Sequence, residues 1–252
     1  IPMGGGSEKH YQRYKDKLLK DARILSVSGT GASLPIFNWR INSFSWEGKD
    51  PKQKISISFN VIDYDFTKTL KLKLKEGRDF SRDFPTDVNN GYLVNEAMVK
   101  LMGRDSAIGA TITQAGKSGK IIGVIENFHF QSFIHRIEPL ILRMEPVSID
   151  NLLIRVQPKN IASTLSFIKR TWKETIQGYP LNYTFLDADY NRSYNSLKRT
   201  GYLLTTFSVL AILISCLGLF GLSSYTAEQR TKEIGVRKVL GSSVTGIFAI
   251  LT

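Results

Sequence analysis

From Tyr202 to Tyr225 the chain carries no charged side chain and is rich in Leu, Ile, Phe and Val. Wound as a helix at about 1.5 Å per residue, this run is about 36 Å long, enough to cross a hydrocarbon layer of roughly 30 Å. The pattern predicts a transmembrane helix over 202–225. The mixed polar and apolar sequence ahead of it then folds on one side of the membrane. The charged segment behind it, from Glu228 to Leu240, lies on the other.

The folded part reads as an outer αβ layer with an insertion. Tyr11, Tyr14 and Leu18 recur at helical spacing, and Ile24 to Ser28 follows as a strand ending at Gly29. A second αβ unit comes late: a strand over Leu152 to Val156, Asn160 as N-cap, then a helix with Leu165, Ile168, Trp172 and Ile176 on one face. Gly178 and Pro180 stop that helix, and Asn182 to Leu186 reads as a returning strand. Between the two units, Ile55, Ile57, Phe59 and Val61 alternate as in a strand. Turn signals stand at Gly48, Asp50-Pro51, Gly77 and Asn89-Asn90-Gly91. Tyr92 to Val94 predicts a strand, Asn95 the cap of a short helix through Leu101, and Gly103 its end. A hairpin around Gly116 to Gly119 joins a strand near Thr111 to one over Ile121 to Ile125. Asp189 to Arg199 predicts a helical stalk continuous with the membrane helix.

Composition changes this picture little. The formal charge of +12 comes from 34 basic and 22 acidic residues. The bases are scattered among acids, without the basic arm or zinc spacing of a nucleic-acid binder. The single cysteine, Cys216, lies inside the apolar run and offers no intrachain disulfide. The chain ends in a short apolar stretch, 246–252, read as the truncated start of another membrane helix, and no signal peptide is visible at Ile1.

Candidate chemistry is sparse. Gly116-Lys-Ser-Gly-Lys120 lacks the G-x-x-x-x-G-K-[ST] spacing that cradles phosphate and is a hairpin turn. His129 and His135, with Glu126 and Glu138 nearby, lack zinc-ligand spacing. Asp63, Asp65 and Asp79 read as turn and surface carboxylates, and Phe128, Phe130 and Phe133 as core residues of a half-buried strand. No catalytic, cofactor or metal residue is expected. In the apolar helix, Ser215, Gly218 and Gly221 lie on or near one face and permit close approach of another helix. After it, Glu228, Arg230, Lys232, Glu233, Arg237 and Lys238 alternate with Ile234, Val236, Val239 and Leu240, an amphipathic pattern that suits docking on a partner better than a purely basic lipid contact.

Ser215-Cys-Leu-Gly-Leu-Phe-Gly-Leu running into Thr226-Ala-Glu-Gln-Arg-Thr-Lys-Glu-Ile-Gly-Val-Arg-Lys-Val-Leu-Gly resembles the MacB/FtsX-like permeases of bacterial ABC transporters. Glu-Gly-Arg-Asp-Phe at 76–80, Val-Asn-Glu-Ala at 94–97 and Ile-Ile-Gly-Val-Ile-Glu-Asn-Phe-His-Phe at 121–130 resemble landmarks of the MacB-like periplasmic core domain. The resemblance implies an α+β fold: a porter-type αβ subdomain from 1–34 and 148–188, an inserted, mostly β, sabre-like subdomain over 35–147, a stalk helix at 189–201, then the transmembrane helix at 202–225. It makes 226–245 the cytoplasmic coupling segment, with Glu228, Arg230, Lys232, Glu233, Ile234, Val236, Arg237 and Lys238 facing an ATPase. It implies the bacterial inner membrane with the main domain periplasmic and a first membrane helix ahead of Ile1. The implied partners are a cytoplasmic ABC ATPase, a second permease copy or homologous half, membrane lipid and a periplasmic adaptor. The implied role is non-catalytic transmission of ATP-driven motion, for export or extraction of peptide, antibiotic, toxin or lipoprotein. The competing expectation is a membrane-tethered extracytoplasmic sensor that signals through the same stalk.

Overall fold

A computed structural model describes residues 1–3, 10–34, 37, 39–50, 52–88, 90–131, 136–145, 148–176 and 178–241, with the side chains of 192–197, 227, 233–234 and 237–238 outside that description. The elements are α1 (Tyr11–Leu18), β1 (Ile24–Thr30), β2 (Arg40–Ile41), β3 (Phe44–Trp46), β4 (Ile57–Ile62), α2 (Phe66–Leu70), β5 (Leu74–Gly77), β6 (Gly91–Asn95), α3 (Glu96–Met102), β7 (Thr111–Gln114), β8 (Lys117–Ile125), β9 (Leu140–Met144), β10 (Asn151–Val156), α4 (Ile161–Thr175), α5 (Leu186–Gln229) and α6 (Thr231–Val239). The chain divides into a compact unit, Ile1–Asn191, and a second, Arg192–Thr252.

Among the described residues the first unit is built on one sheet, ordered β10-β1-β4-β9-β6-β8-β7-β3, with β2 added to β4 and β5 to β8. The β4–β9 and β6–β8 pairs are parallel and the others antiparallel. The outer ladder is β1 with β10, running from Ile24 opposite Val156 to Thr30 opposite Asn151 with one register shift between Ile24 and Ser26. It meets the inner strands through a single residue pair, Thr30 opposite Ile62.

Apolar residues sort into three clusters. On one face of the outer ladder, Tyr14, Leu18, Val27, Ile168, Trp172 and Ile176 close a core between α1, α4 and the strands. Tyr14 meets Trp172 edge to face, with ring centroids 5.2 Å apart. In the inner strands, Tyr92 and Val94 enter one cluster and Leu93 another, as do Ile141 on one side and Leu140 and Leu142 on the other. Successive side chains point to opposite faces, so these strands are covered on both sides.

That double coverage changes the expectation for β4. All six of its residues are buried, including Ser58 and Asn60. Asn60 is tolerated because its amide donates to Thr30 Oγ1 at 2.7 Å and its carbonyl accepts from Ala32 N–H at 2.8 Å. Elsewhere local signals hold. The Asn95 carbonyl oxygen accepts from Met98 N–H at 3.1 Å, and Gly103 at φ +67° ends α3. The β7–β8 hairpin turns at Ala115 and Gly116, both at positive φ as a two-residue hairpin requires, one residue ahead of the predicted turn.

Four expectations are corrected. β1 runs past Gly29 to Thr30, because that glycine serves close approach inside the strand: a Cβ there would lie 2.6 Å from Ile149. Asn160 stands at the N-cap of α4 in the left-handed region without a capping side chain; its carbonyl instead accepts from the Ser163 and Thr164 hydroxyls. Residues 182–185 join no ladder, and Leu186 begins α5. Their aromatic side chains pack locally, Tyr183 edge-on to Phe185 and under Lys169 of α4. Residues 126–131 form a loop rather than a strand. Within it Phe130 is buried against Phe37, centroids 5.4 Å apart, and Phe128 is half-buried, while Phe133 and His135 lie outside the described residues.

Candidate functional site

Helix α5 runs without interruption for 44 residues, about 66 Å at 1.5 Å per residue. Within it, Lys198–Thr226 is long and apolar enough to cross a membrane, with a mean hydropathy of 2.4 and none of its apolar window buried. Five of its hydroxyls are satisfied inside the helix. Thr205 donates to Gly201 O, Thr206 to Tyr202 O, Ser208 to Leu204 O, Ser215 to Ala211 O and Thr226 to Leu222 O, at 2.7–3.0 Å. Such back-bonding is what a solvent without hydrogen-bond partners demands. The Ser215, Gly218 and Gly221 positions belong to this helix. A Cβ added at either glycine would meet nothing within 4 Å, so close approach there is open to another molecule.

A turn at Arg230 separates α5 from α6. Arg230 N–H still bonds Thr226 O, and the Thr231 hydroxyl donates to Glu228 O at 2.8 Å. Glu228, Arg230 and Lys232 are exposed, as are Val236 (61%), Val239 (89%) and Leu240 (79%). Three large apolar groups are thus left uncovered at one short helix end. Glu233, Ile234, Arg237 and Lys238 lie on the α6 backbone, and their side chains are among those not described.

The first unit holds a charge cluster that sequence reasoning missed. Lys15, on α1, is 2% exposed and Asp63, just after β4, 4%. The Lys15 ammonium donates to Asp63 and, at 2.6 Å, to Asp65. Asp63 also accepts from the Tyr11 hydroxyl, from Ser28 Oγ at 2.7 Å and from Asp65 N–H at 3.1 Å. Burial, then the Asp63 charge, holds the Tyr11 phenol far above its ordinary pKa, so it stays a proton donor and is no acid–base catalyst at neutral pH. Every group in the cluster is occupied by another. It ties α1 and β1 to the β4–α2 turn, across the place where the two parts of the sheet meet by one residue pair.

The turn-and-surface expectation is therefore corrected for Asp63 and Asp65, which converge on one lysine. A signal was present: Lys15 stands on the same helical stripe as Tyr11, Tyr14 and Leu18, and a lysine on a buried stripe requires a carboxylate partner. Asp79 is also not a free surface acid. It accepts from Thr67 Oγ1 and from Phe80 N–H at 2.8 Å; burial raises its pKa and those two bonds oppose the rise. Among the described residues no group of three or more His, Cys, Asp or Glu is placed to hold a metal ion.

No protein-family model and no curated protein matches the chain. Solved structures do. The extracellular domain of the noncanonic ABC-type transporter YknZ from Gram-positive bacteria is 15% identical, with a TM-score of 0.50 over 69% of this chain and 91% of that domain. The periplasmic region of MacB from Actinobacillus actinomycetemcomitans gives 15% identity and a TM-score of 0.48, covering 69% and 81%. A domain of a Porphyromonas gingivalis protein described as a permease gives 16% and 0.47, covering 69% and 71%. The YknZ match shows the fold: a mixed α/β domain like that transporter's extracellular domain, followed in this chain by an apolar helix.

Proposed function

We propose that this chain is a permease component of a MacB-type ABC transporter, set in the bacterial inner membrane with Ile1–Asn191 outside the cytoplasm and α6 inside. The observation that carries this is the order of parts in one chain. A domain with the fold of a transporter's extracellular domain is followed by a 29-residue apolar span and then by a short helix with uncovered Val236 and Val239. Residues 1–252 hold no G-x-x-x-x-G-K-[ST] motif, and we assign nucleotide hydrolysis to a separate ATPase. The permease is a transmission device. ATPase closure displaces Glu228, Arg230, Lys232, Glu233, Ile234, Val236, Arg237 and Lys238, and α5 carries the displacement outward.

Within the outer domain the segments 1–34 and 148–188 form the porter-type part and 35–147 the insertion, with the Thr30–Ile62 pair and the Lys15–Asp63 cluster at their join. Ser215, Gly218 and Gly221 face a second permease copy. Such coupling needs two states that differ in their contacts with loaded and empty ATPase. The cargo class is peptide, antibiotic, toxin or lipoprotein, met by the outer domains of two copies and a periplasmic adaptor.

Two measurements test this in membranes holding the full chain and its cognate ATPase. Single cysteines at Lys169 and Lys232, in a Cys216→Ser background, should be labelled by an impermeant reagent from opposite sides. Labelling from one side alone sinks the topology. The double charge reversal E233K/R237E should abolish ATPase association while leaving membrane insertion intact; retained association removes the docking role of α6.

A further inference from the structure

β10 ends the sheet, paired with β1 on one side, and its other edge is only half used. There Ile1 N donates to Leu152 O at 3.0 Å and Leu152 N–H to Ile1 O at 2.7 Å, while Pro2 bridges Asn151 in antiparallel sense. Backbone groups along an antiparallel strand alternate between its two edges. Those of Leu152 face outward, so those of Ile154 and Val156 do too; Gln157 N–H, on the opposite phase, turns inward to Arg23 O. β10 thus continues for two outward-facing positions past its last edge partner.

A groove of about 350 Å³ wraps this stretch. Its walls lie on both faces of the sheet. On one side are Ile161, Leu165 and Ile168 of α4, and on the other Leu34, Thr69 and Leu70. The β10 side chains divide the same way: Ile154 and Val156 pack toward the Tyr14–Trp172 core, and Leu153 toward the Phe37–Phe66 core. Thr69 is 3% exposed, and its hydroxyl has no hydrogen-bond partner among the described residues. A buried polar atom left unpaired beside a groove is costly unless something fills the groove. Two apolar walls flanking an open strand edge are the shape of a missing strand, which brings backbone bonds for the edge and side chains for both faces.

We propose that the groove receives the extended polypeptide that leads into Ile1, as a further antiparallel strand along β10. Ile1 and Pro2 already fix its direction and register. The second residue ahead of Ile1 falls opposite Ile154, the fourth opposite Val156, and both turn their side chains to the α4 wall. The first and third turn to Leu34, Thr69 and Leu70. Apolar residues are therefore required on both phases, a run rather than an alternation. Leu186, Asp187 and Asp189 of α5 line the same groove, so the incoming strand and the outgoing helix meet at one corner of the domain. The proposal rests on register and packing and stands apart from the transporter reading.

The test compares the chain starting at Ile1 with one extended directly ahead of Ile1 by the apolar segment Val-Leu-Val-Val, both in detergent. With the extension, the Ile154 and Val156 amides should exchange at least tenfold more slowly; equal rates overturn the proposal. A second arm needs no exchange data. In the extended Cys216→Ser chain, a cysteine directly ahead of Ile1 and Leu153→Cys form a non-hydrogen-bonded pair, close enough for a disulfide. Crosslinking within one chain supports the strand. Crosslinking only between copies, or none, overturns it, the former pointing instead to edge pairing of two molecules.

Discussion

The Tyr190 hydroxyl, in the first turns of α5, donates to the backbone carbonyl of His129 at 2.9 Å. The loop it reaches carries Phe130, stacked on Phe37, and Gln131, whose amide bonds both Ser58 and Glu138. One hydroxyl thus links the start of the long helix to the inner core. Burial also raises the Tyr190 pKa, keeping the proton in place.

Tyr190→Phe removes that link and little else. A hydrogen bond contributes about 1 kcal/mol net, so global stability should fall by no more than that. Amide exchange over 186–191 should speed up by roughly fivefold, the same energy expressed locally. Unchanged exchange there would show that α5 is held by its apolar contacts alone.

Lys15 offers a larger effect. Lys15→Met leaves Asp63 buried without its cation, and breaking one side of a buried ion pair costs about 3–5 kcal/mol. Adding Asp63→Asn should recover part of the loss, because it removes the stranded charge while an acceptor for Ser28 and Tyr11 remains. Denaturant midpoints of the two variants decide it: equal midpoints mean the charge was not the cost.

How much of this was legible in sequence follows the range of the interaction. The strand–Asn95–helix–Gly103 run could be read because cap and C-terminal glycine act within one or two turns. The Tyr14–Leu18 and Ile168–Trp172–Ile176 stripes could be read because one face of a helix records its own burial. The parallel pairing of β4 with β9, some eighty residues apart, leaves no local trace, so nothing nearby in the sequence marks Ser58 and Asn60 as buried. Asp63 failed for the same reason, its partners lying 35 to 52 positions away. The segment 182–186 alternates like a strand, yet its aromatics find partners without a ladder. For α6 the amphipathic pattern was plain, whereas no described residue covers Val236 and Val239.

The membrane helix gives a prediction from size alone. Gly218→Leu fills open space within this chain and should leave its helicity and expression unchanged or slightly improved, since glycine is about 1 kcal/mol worse than the best helix formers. If Gly218 faces a second copy, the bulk blocks close approach. Dimer crosslinking through Cys216 in membranes should then fall several-fold. Undiminished crosslinking would move the contact to another face.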